Sequence, residues 1–153
     1  MNHGLEINMD IDISESLSAF LNLGMLKTEI KNWQSRQDLE GRAQAHAPKK
    51  SYALGLDWAP TSHTYLAIDF TGKSSFYYSD SHNNKSKSYV LTNLNLGYVK
   101  NNWNYELWAR NVFDEYYSVR GFYFGNEAPN FIDTLYERHG DPRNTGFSIR
   151  YDF

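Results

Sequence analysis

The chain has no cysteine and only four prolines in 153 residues. Without thiols, disulfide frameworks, thiolate zinc sites and cysteine nucleophiles are excluded, and the redox compartment stays open. Long hydrophobic runs are also missing. With a mean hydropathy of -0.67, no stretch approaches the length of a membrane helix, which excludes helical spanning. Nor is there an excess of basic charge: fifteen Lys and Arg stand against eighteen Asp and Glu, a formal charge of -3. No basic field is available to grip phosphates, so nucleic acid is not an expected partner. What is abundant is rings. Twelve Tyr, nine Phe and four Trp make 16% of an otherwise polar chain of about one domain's length.

The period of the apolar residues is two. Leu5, Ile7, Met9, Ile11 and Ile13 alternate strictly with Glu6, Asn8, Asp10 and Asp12, which puts the aliphatics on one face of a strand. The pattern recurs over Leu17–Met25, Tyr52–Trp58, Leu66–Phe70, Leu94–Tyr98, Trp103–Ala109 and Phe147–Phe153, with Phe20 breaking the polar side of the second. About seven strands and no helix are expected.

Short and long connections alternate. Ser14–Ser16, Pro60–Ser62 and Lys100–Asn102 are tight turns of turn-forming residues, whereas Asn32–Lys50, Ser79–Ser88 and roughly Ser118–Pro142 read as long polar loops. An up-and-down antiparallel sheet then carries every short turn on one rim and every long loop on the other, the asymmetry of outer-membrane barrels. The rings sort by rim too. Trp58, Tyr98, Trp103, Tyr151 and Phe153 lie beside short turns or the chain end, while Trp33, Tyr52, Phe76, Tyr78, Tyr89, Phe113, Tyr116 and Tyr117 lie at the long-loop ends. Two aromatic levels with aliphatics between them suit two membrane–water interfaces.

The opposite face holds Glu6, Asn8, Asp10, Asp12, Asn22, Asp57, Asp69, Lys73, Asn93, Asn95, Glu106, Arg110, Arg150 and Asp152. Burying such groups unpaired costs several kcal/mol each, so they face water: a wet bore, or the solvent side of a soluble sheet. Seven strands are too few to close a bacterial single-chain barrel. Met1-Asn2-His3-Gly4 leads straight into a strand, with no basic segment, apolar stretch or cleavage site of a secretory signal. The expectation is therefore a carboxy-terminal portion of a larger barrel.

Several stretches resemble the C-terminal barrel region of TonB-dependent outer-membrane receptors: Tyr89–Tyr98, Trp103–Tyr117 and Gly140–Phe153. Asn111-Val112-Phe113-Asp114 with Tyr117 is similar to the family's Asn-Leu-Phe-Asp signature. Gly140-Asp141-Pro142-Arg143 is similar to the Gly-x-Pro-Arg that opens its last strand, and Ala47–Tyr52 to the start of an earlier one. The resemblance implies an all-β, antiparallel up-and-down transmembrane barrel segment, about seven strands of a twenty-two-stranded barrel, here without its plug domain. It implies a place in the Gram-negative outer membrane and a part in uptake of a siderophore-like or other scarce nutrient. The chain by itself is expected to be inactive. The implied partners are outer-membrane lipid, the barrel assembly machinery, the N-terminal barrel and plug, the TonB energy-coupling complex reached through that plug, and a small-molecule ligand. Phe147, Ile149, Tyr151 and Phe153 resemble the C-terminal signal read by the assembly machinery, with Ser148 where the family often has Gly. An apolar-faced edge strand suits recognition by β-augmentation.

Catalysis finds no support, and no enzyme activity, cofactor or metal is expected. The five histidines are scattered without ligand spacing, and no Gly-x-Ser-x-Gly, P-loop or dinucleotide fingerprint is present. The expected ligand-contact loop is Arg120–Arg138, where Arg120, Phe122, Tyr123, Phe124, Tyr136 and Arg138 mix rings with cations suited to anionic or aromatic ligands. Two other readings of the alternation are a soluble antiparallel β-sandwich or lipocalin-like binder, and a small complete barrel with a structural or adhesive role.

Overall fold

The structure, a computed structural model, describes residues 1–153. Nine strands form in chain order: β1 (Asn2–Ser14), β2 (Leu17–Thr28), β3 (Lys50–Thr61), β4 (Thr64–Lys73), β5 (Tyr89–Lys100), β6 (Trp103–Arg110), β7 (Ser118–Phe124), β8 (Thr134–His139) and β9 (Asn144–Tyr151). One antiparallel sheet runs β1-β2-β3-β4-β5-β6-β9, and β7 pairs only with β8. The stretch read from sequence as a long polar loop thus contains a hairpin. Its period is masked because Phe122, Tyr123 and Phe124 follow one another, so both faces look apolar.

Three two-residue turns, at Glu15–Ser16, Ser62–His63 and Asn101–Asn102, lie at one end of the sheet. Asn101 takes a positive φ of 52°, a conformation that Asn tolerates better than most residues. At the other end lie the connections 29–49, 74–88 and 111–143, the last enclosing the hairpin. Up-and-down pairing alone produces this sorting.

Register carries the alternation across the sheet. Leu17, Trp58, Leu66, Leu96, Leu107 and Phe147 form one continuous row. Ile11, Ala19, Leu56, Ile68, Leu94 and Ala109 form the next. A one-residue slip would turn every aliphatic to the other side. No second layer packs on this surface: Leu5, Leu56, Leu96 and Leu107 are 44–55% exposed. The four buried hydrophobics, Ile30, Leu39, Phe76 and Tyr78, all lie in the long connections. The accessible surface is 10833 Å², whereas a globular monomer of this mass shows about 8,000 Å². A sandwich or lipocalin would bury those rows, so the aliphatic side is the outside of an open wall.

The polar side is concave. Side chains from β1 to β5, among them Glu6, Asn22, Ser51, Thr71 and Tyr89, line a single cavity of about 580 Å³ together with Tyr117 and Val119. The rings that interrupt this face have a packing role. Phe20 lies over Gly55, Tyr65 over Gly97 and Trp108 over Gly146, each a direct cross-strand neighbour. A glycine gives the ring room to lie flat on the wall, and the ring covers backbone that the glycine leaves bare.

Candidate functional site

The long-loop rim is anchored at the exit of β6. Asn111 and Asp114 both adopt positive φ, 49° and 55°. The Asn111 side chain, nearly fully buried, accepts from the Glu115 backbone N–H at 2.8 Å and donates to the Glu115 and Asp141 carbonyls at 3.0 and 3.1 Å. The Asp114 carboxylate accepts from the Arg143 N–H at 2.7 Å. Gly140 donates its N–H to the Tyr117 carbonyl and lies under the Tyr117 ring. These bonds tie the strand that leaves the wall to the one that returns. They give a physical reason for the Asn111–Asp114 and Gly140–Arg143 pattern, since Asn and Asp tolerate left-handed backbone and supply local side-chain acceptors.

Connections 29–49 and 74–88 are locked by Arg42, largely buried among its partners. Its guanidinium donates to the Ser79 and His82 carbonyls, to Asn83 and to Asp80, at 2.8–3.1 Å. It also lies 4.4 Å from the Tyr77 ring centre, with the Lys85 ammonium 4.2 Å away on the same ring. Arg36 pairs with Asp38 at 3.0 Å and donates to the Asp80 carbonyl. That partner holds the Asp38 carboxyl below its ordinary value and raises the Arg36 guanidinium above its own.

The hairpin leans on this locked pair. Gly121 sits under the Tyr78 ring, and the Tyr78 hydroxyl donates to Glu137. Burial, then the bond to Glu137, pushes the Tyr78 phenol up to about 12. His82 stacks near Tyr123 with ring centres 5.7 Å apart. Loss of solvation, then the neighbouring Glu127 carboxylate, raises the exposed Tyr136 phenol as well.

Cross-strand register separates the residues singled out in the sequence. Arg120 pairs with Arg138 and Phe122 with Tyr136, so Arg120, Phe122, Phe124, Tyr136 and Arg138 share one face. Phe124 and Tyr136 have ring centres 5.3 Å apart, and the Arg120 guanidinium lies 5.7 Å from the Phe122 ring. Tyr123 is on the other face, with Gly121 and Glu137, against connection 74–88. Val119, two residues before Gly121, lines the concave cavity. A second cavity of about 360 Å³, at the seam of hairpin and connection, is lined by His46, His82, Arg120, Phe122 and Tyr123. Arg42, His82 and Glu137 were not expected from sequence, and Phe76 and Tyr78, expected in the aromatic level at the long-loop ends, are instead buried within connection 74–88. The Tyr78–Glu137 bond spans 59 residues, and no local pattern announces it.

On the concave wall the Tyr65 hydroxyl donates to Glu106 at 2.9 Å, and Asn93 donates to Asp69 at 2.8 Å. Such pairs suit a wet surface. No three His, Asp or Glu side chains gather in a metal-ligating group. Phe147, Ile149 and Tyr151 lie on the outer face of β9, opposite Leu107, Tyr105 and Trp103. Phe153 follows the strand, fully exposed, its ring 5.0 Å from Tyr151. The Ser148 hydroxyl accepts from the Trp108 indole at 3.1 Å, a partner that glycine would not offer.

An antiparallel wall, aliphatic outside and hydrated on its concave side, with turns and loops sorted by rim, defines a segment of a transmembrane β-barrel. The family of TonB dependent receptor-like β-barrels matches residues 1–112, and the chain belongs to it. Among solved structures, the ferric yersiniabactin uptake receptor FyuA from Yersinia pestis superposes with a TM-score of 0.82 at 16% identity, over 99% of this chain and 23% of that one. The siderophore receptor PiuA from Acinetobacter baumannii gives 0.78 at 15%, over 97% and 21%. The ferric-catecholate import receptor Fiu from E. coli K12 gives 0.70 at 20%, over 95% and 20%. These likenesses extend the shared fold across the hairpin and β9. The chain spans about a fifth of the length of the structures it matches.

Proposed function

We propose that this chain is the C-terminal part of an outer-membrane receptor barrel that takes up a ferric siderophore-like complex or another scarce nutrient, and that it transports nothing alone. The observation carrying this reading is the hairpin face at the long-loop rim, where Arg120 and Arg138 sit directly across from each other beside Phe122, Phe124 and Tyr136. Adjacent like charges destabilise a strand pair, and neither guanidinium has a carboxylate partner. An anionic, ring-bearing ligand relieves the repulsion and stacks on the rings. Transport rather than catalysis is the activity, with the plug and remaining strands supplying the coupling to TonB. Phe147, Ile149, Tyr151 and Phe153 serve as the recognition strand for the assembly machinery.

The test is uptake of radiolabelled ferric catecholate and ferric citrate by iron-starved cells carrying the complete gene. Arg120→Ala and Arg138→Ala are each expected to weaken uptake about tenfold or more, since each removes a charged hydrogen-bond donor. Unchanged uptake of both complexes, in these variants and in a deletion strain, overturns the reading.

A further inference from the structure

Four tyrosine hydroxyls are hydrogen-bonded to other side chains. Those of Tyr65, Tyr78 and Tyr136 meet carboxylates, and that of Tyr116 alone meets an imidazole. The Tyr116 oxygen lies 2.6 Å from His139 Nε2, and the Ser118 hydroxyl lies 3.1 Å from Nδ1 of the same ring. A phenol is more acidic than an alkyl hydroxyl, and the phenol makes the shorter contact. Tyr116 is therefore assigned as the donor to Nε2, and the Nδ1 proton is assigned to the bond with Ser118.

Backbone bonds hold the three residues in place. Asn111 bonds both backbone groups of Glu115, the neighbour of Tyr116. The Gly140 N–H, next to His139, donates to the Tyr117 carbonyl at 2.9 Å. Ser118 and His139 are direct cross-strand partners at the base of the hairpin. The Tyr116 and His139 rings lie against each other, with centres 4.2 Å apart. Tyr116 nevertheless stays 74% exposed, so a reagent in solution can reach it. A hydroxyl within hydrogen-bond reach of a base, with that base oriented by a third group, is the arrangement that activates an oxygen nucleophile.

We propose that Tyr116, His139 and Ser118 form a covalent modification site that accepts an acyl group from an activated ester. The Tyr116 oxygen attacks the acyl carbonyl carbon while its proton passes to His139 Nε2. The bond to the leaving oxygen then breaks, the leaving group takes up that proton, and a tyrosyl ester remains. His139 is the base, and Ser118 is a positioning residue that acts through it. The product is a chain carrying one acyl group at the long-loop rim. The inference is independent of what the receptor imports.

The full chain in nonionic detergent is treated with p-nitrophenyl acetate, and acetylation at each tyrosine is timed by peptide mass spectrometry. Tyr123, on the same hairpin, has no base at its hydroxyl and serves as the comparison. Exposure alone, 74% against 43%, would favour Tyr116 less than twofold. A positioned base contributes about a hundredfold or more, so Tyr116 is expected to react about a hundred times faster than Tyr123. His139→Gln should remove that advantage. Ser118→Ala should slow Tyr116 about tenfold, the loss of one hydrogen bond, and Ser118→Thr, which keeps the hydroxyl, should restore the rate. Rates within twofold at Tyr116 and Tyr123 in the unaltered chain overturn the proposal, whatever the variants do. An unchanged rate in His139→Gln, or a stable label on His139 in place of Tyr116, overturns it as well. Equal slowing in Ser118→Ala and Ser118→Thr overturns the positioning role of Ser118.

Discussion

Asn111 shows how much one side chain decides at the rim. Its amide satisfies two carbonyls and one N–H from two different segments, and its backbone takes a left-handed conformation. Asn111→Ala loses all three bonds and places alanine at an unfavourable φ, an expected cost of about 3 kcal/mol. Asp114→Ala loses one exposed bond and also leaves alanine at a positive φ, and should cost about 2 kcal/mol. Urea unfolding midpoints in detergent check the order; equal shifts would show that the Asn111 side chain does not hold the two segments together. Tyr78 gives a pH signature. Its phenol lies near 12 in the folded chain against an ordinary 10, so folding favours the protonated form. The stabilisation is complete below pH 10 and is lost as the pH rises through about 12. Ultraviolet titration should show a late phenolate step, absent in Tyr78→Phe.

Strands cooperate through ring-on-glycine pairs. Tyr65 crosses to cover Gly97 and reaches Glu106 on the strand beyond, linking β4, β5 and β6 on the concave side. A side chain at Gly97 displaces the ring and breaks that hydrogen bond, so Gly97→Leu should destabilise by about 2 kcal/mol. Once Tyr65→Ala has removed the ring, the same leucine should cost much less. The measurement is a double-mutant cycle on thermal unfolding, and additive effects would show that the two residues do not share one packing unit.

For the whole molecule, the governing fact is that seven antiparallel strands leave β1 and β9 as free edges running in the same direction. Joining them to each other, or to a second copy around an axis along the membrane normal, would need a parallel pair. An all-antiparallel barrel completes this wall with an odd number of further strands. Without them the chain presents two unpaired edges and exposed aliphatic rows, both of which favour association. Light scattering should find aggregates in buffer and dispersed particles in detergent. A monodisperse monomer in buffer would contradict the lipid-facing assignment. Because the chain has no native cysteine, Leu56→Cys and Asp57→Cys each place a unique thiol on neighbouring residues of opposite faces. In membranes, a lipid-soluble maleimide should label the first and a water-soluble one the second.

Sequence alone determined the seven wall strands, their two faces, the three tight turns and the sorting of connections. All of these follow from a period of two and from turn chemistry, which act within a few residues of each other. Tertiary structure decided the rest. The hairpin was hidden because Phe122, Tyr123 and Phe124 erase the alternation. Register then put Tyr123 on the opposite side from Arg120, Phe122, Phe124, Tyr136 and Arg138. Arg42 with Asp80, and Tyr78 with Glu137, meet across separations of 38 and 59 residues. Such pairs depend on where folded connections come to rest over the mouth, and burial and charge select them there with no periodic trace in the chain.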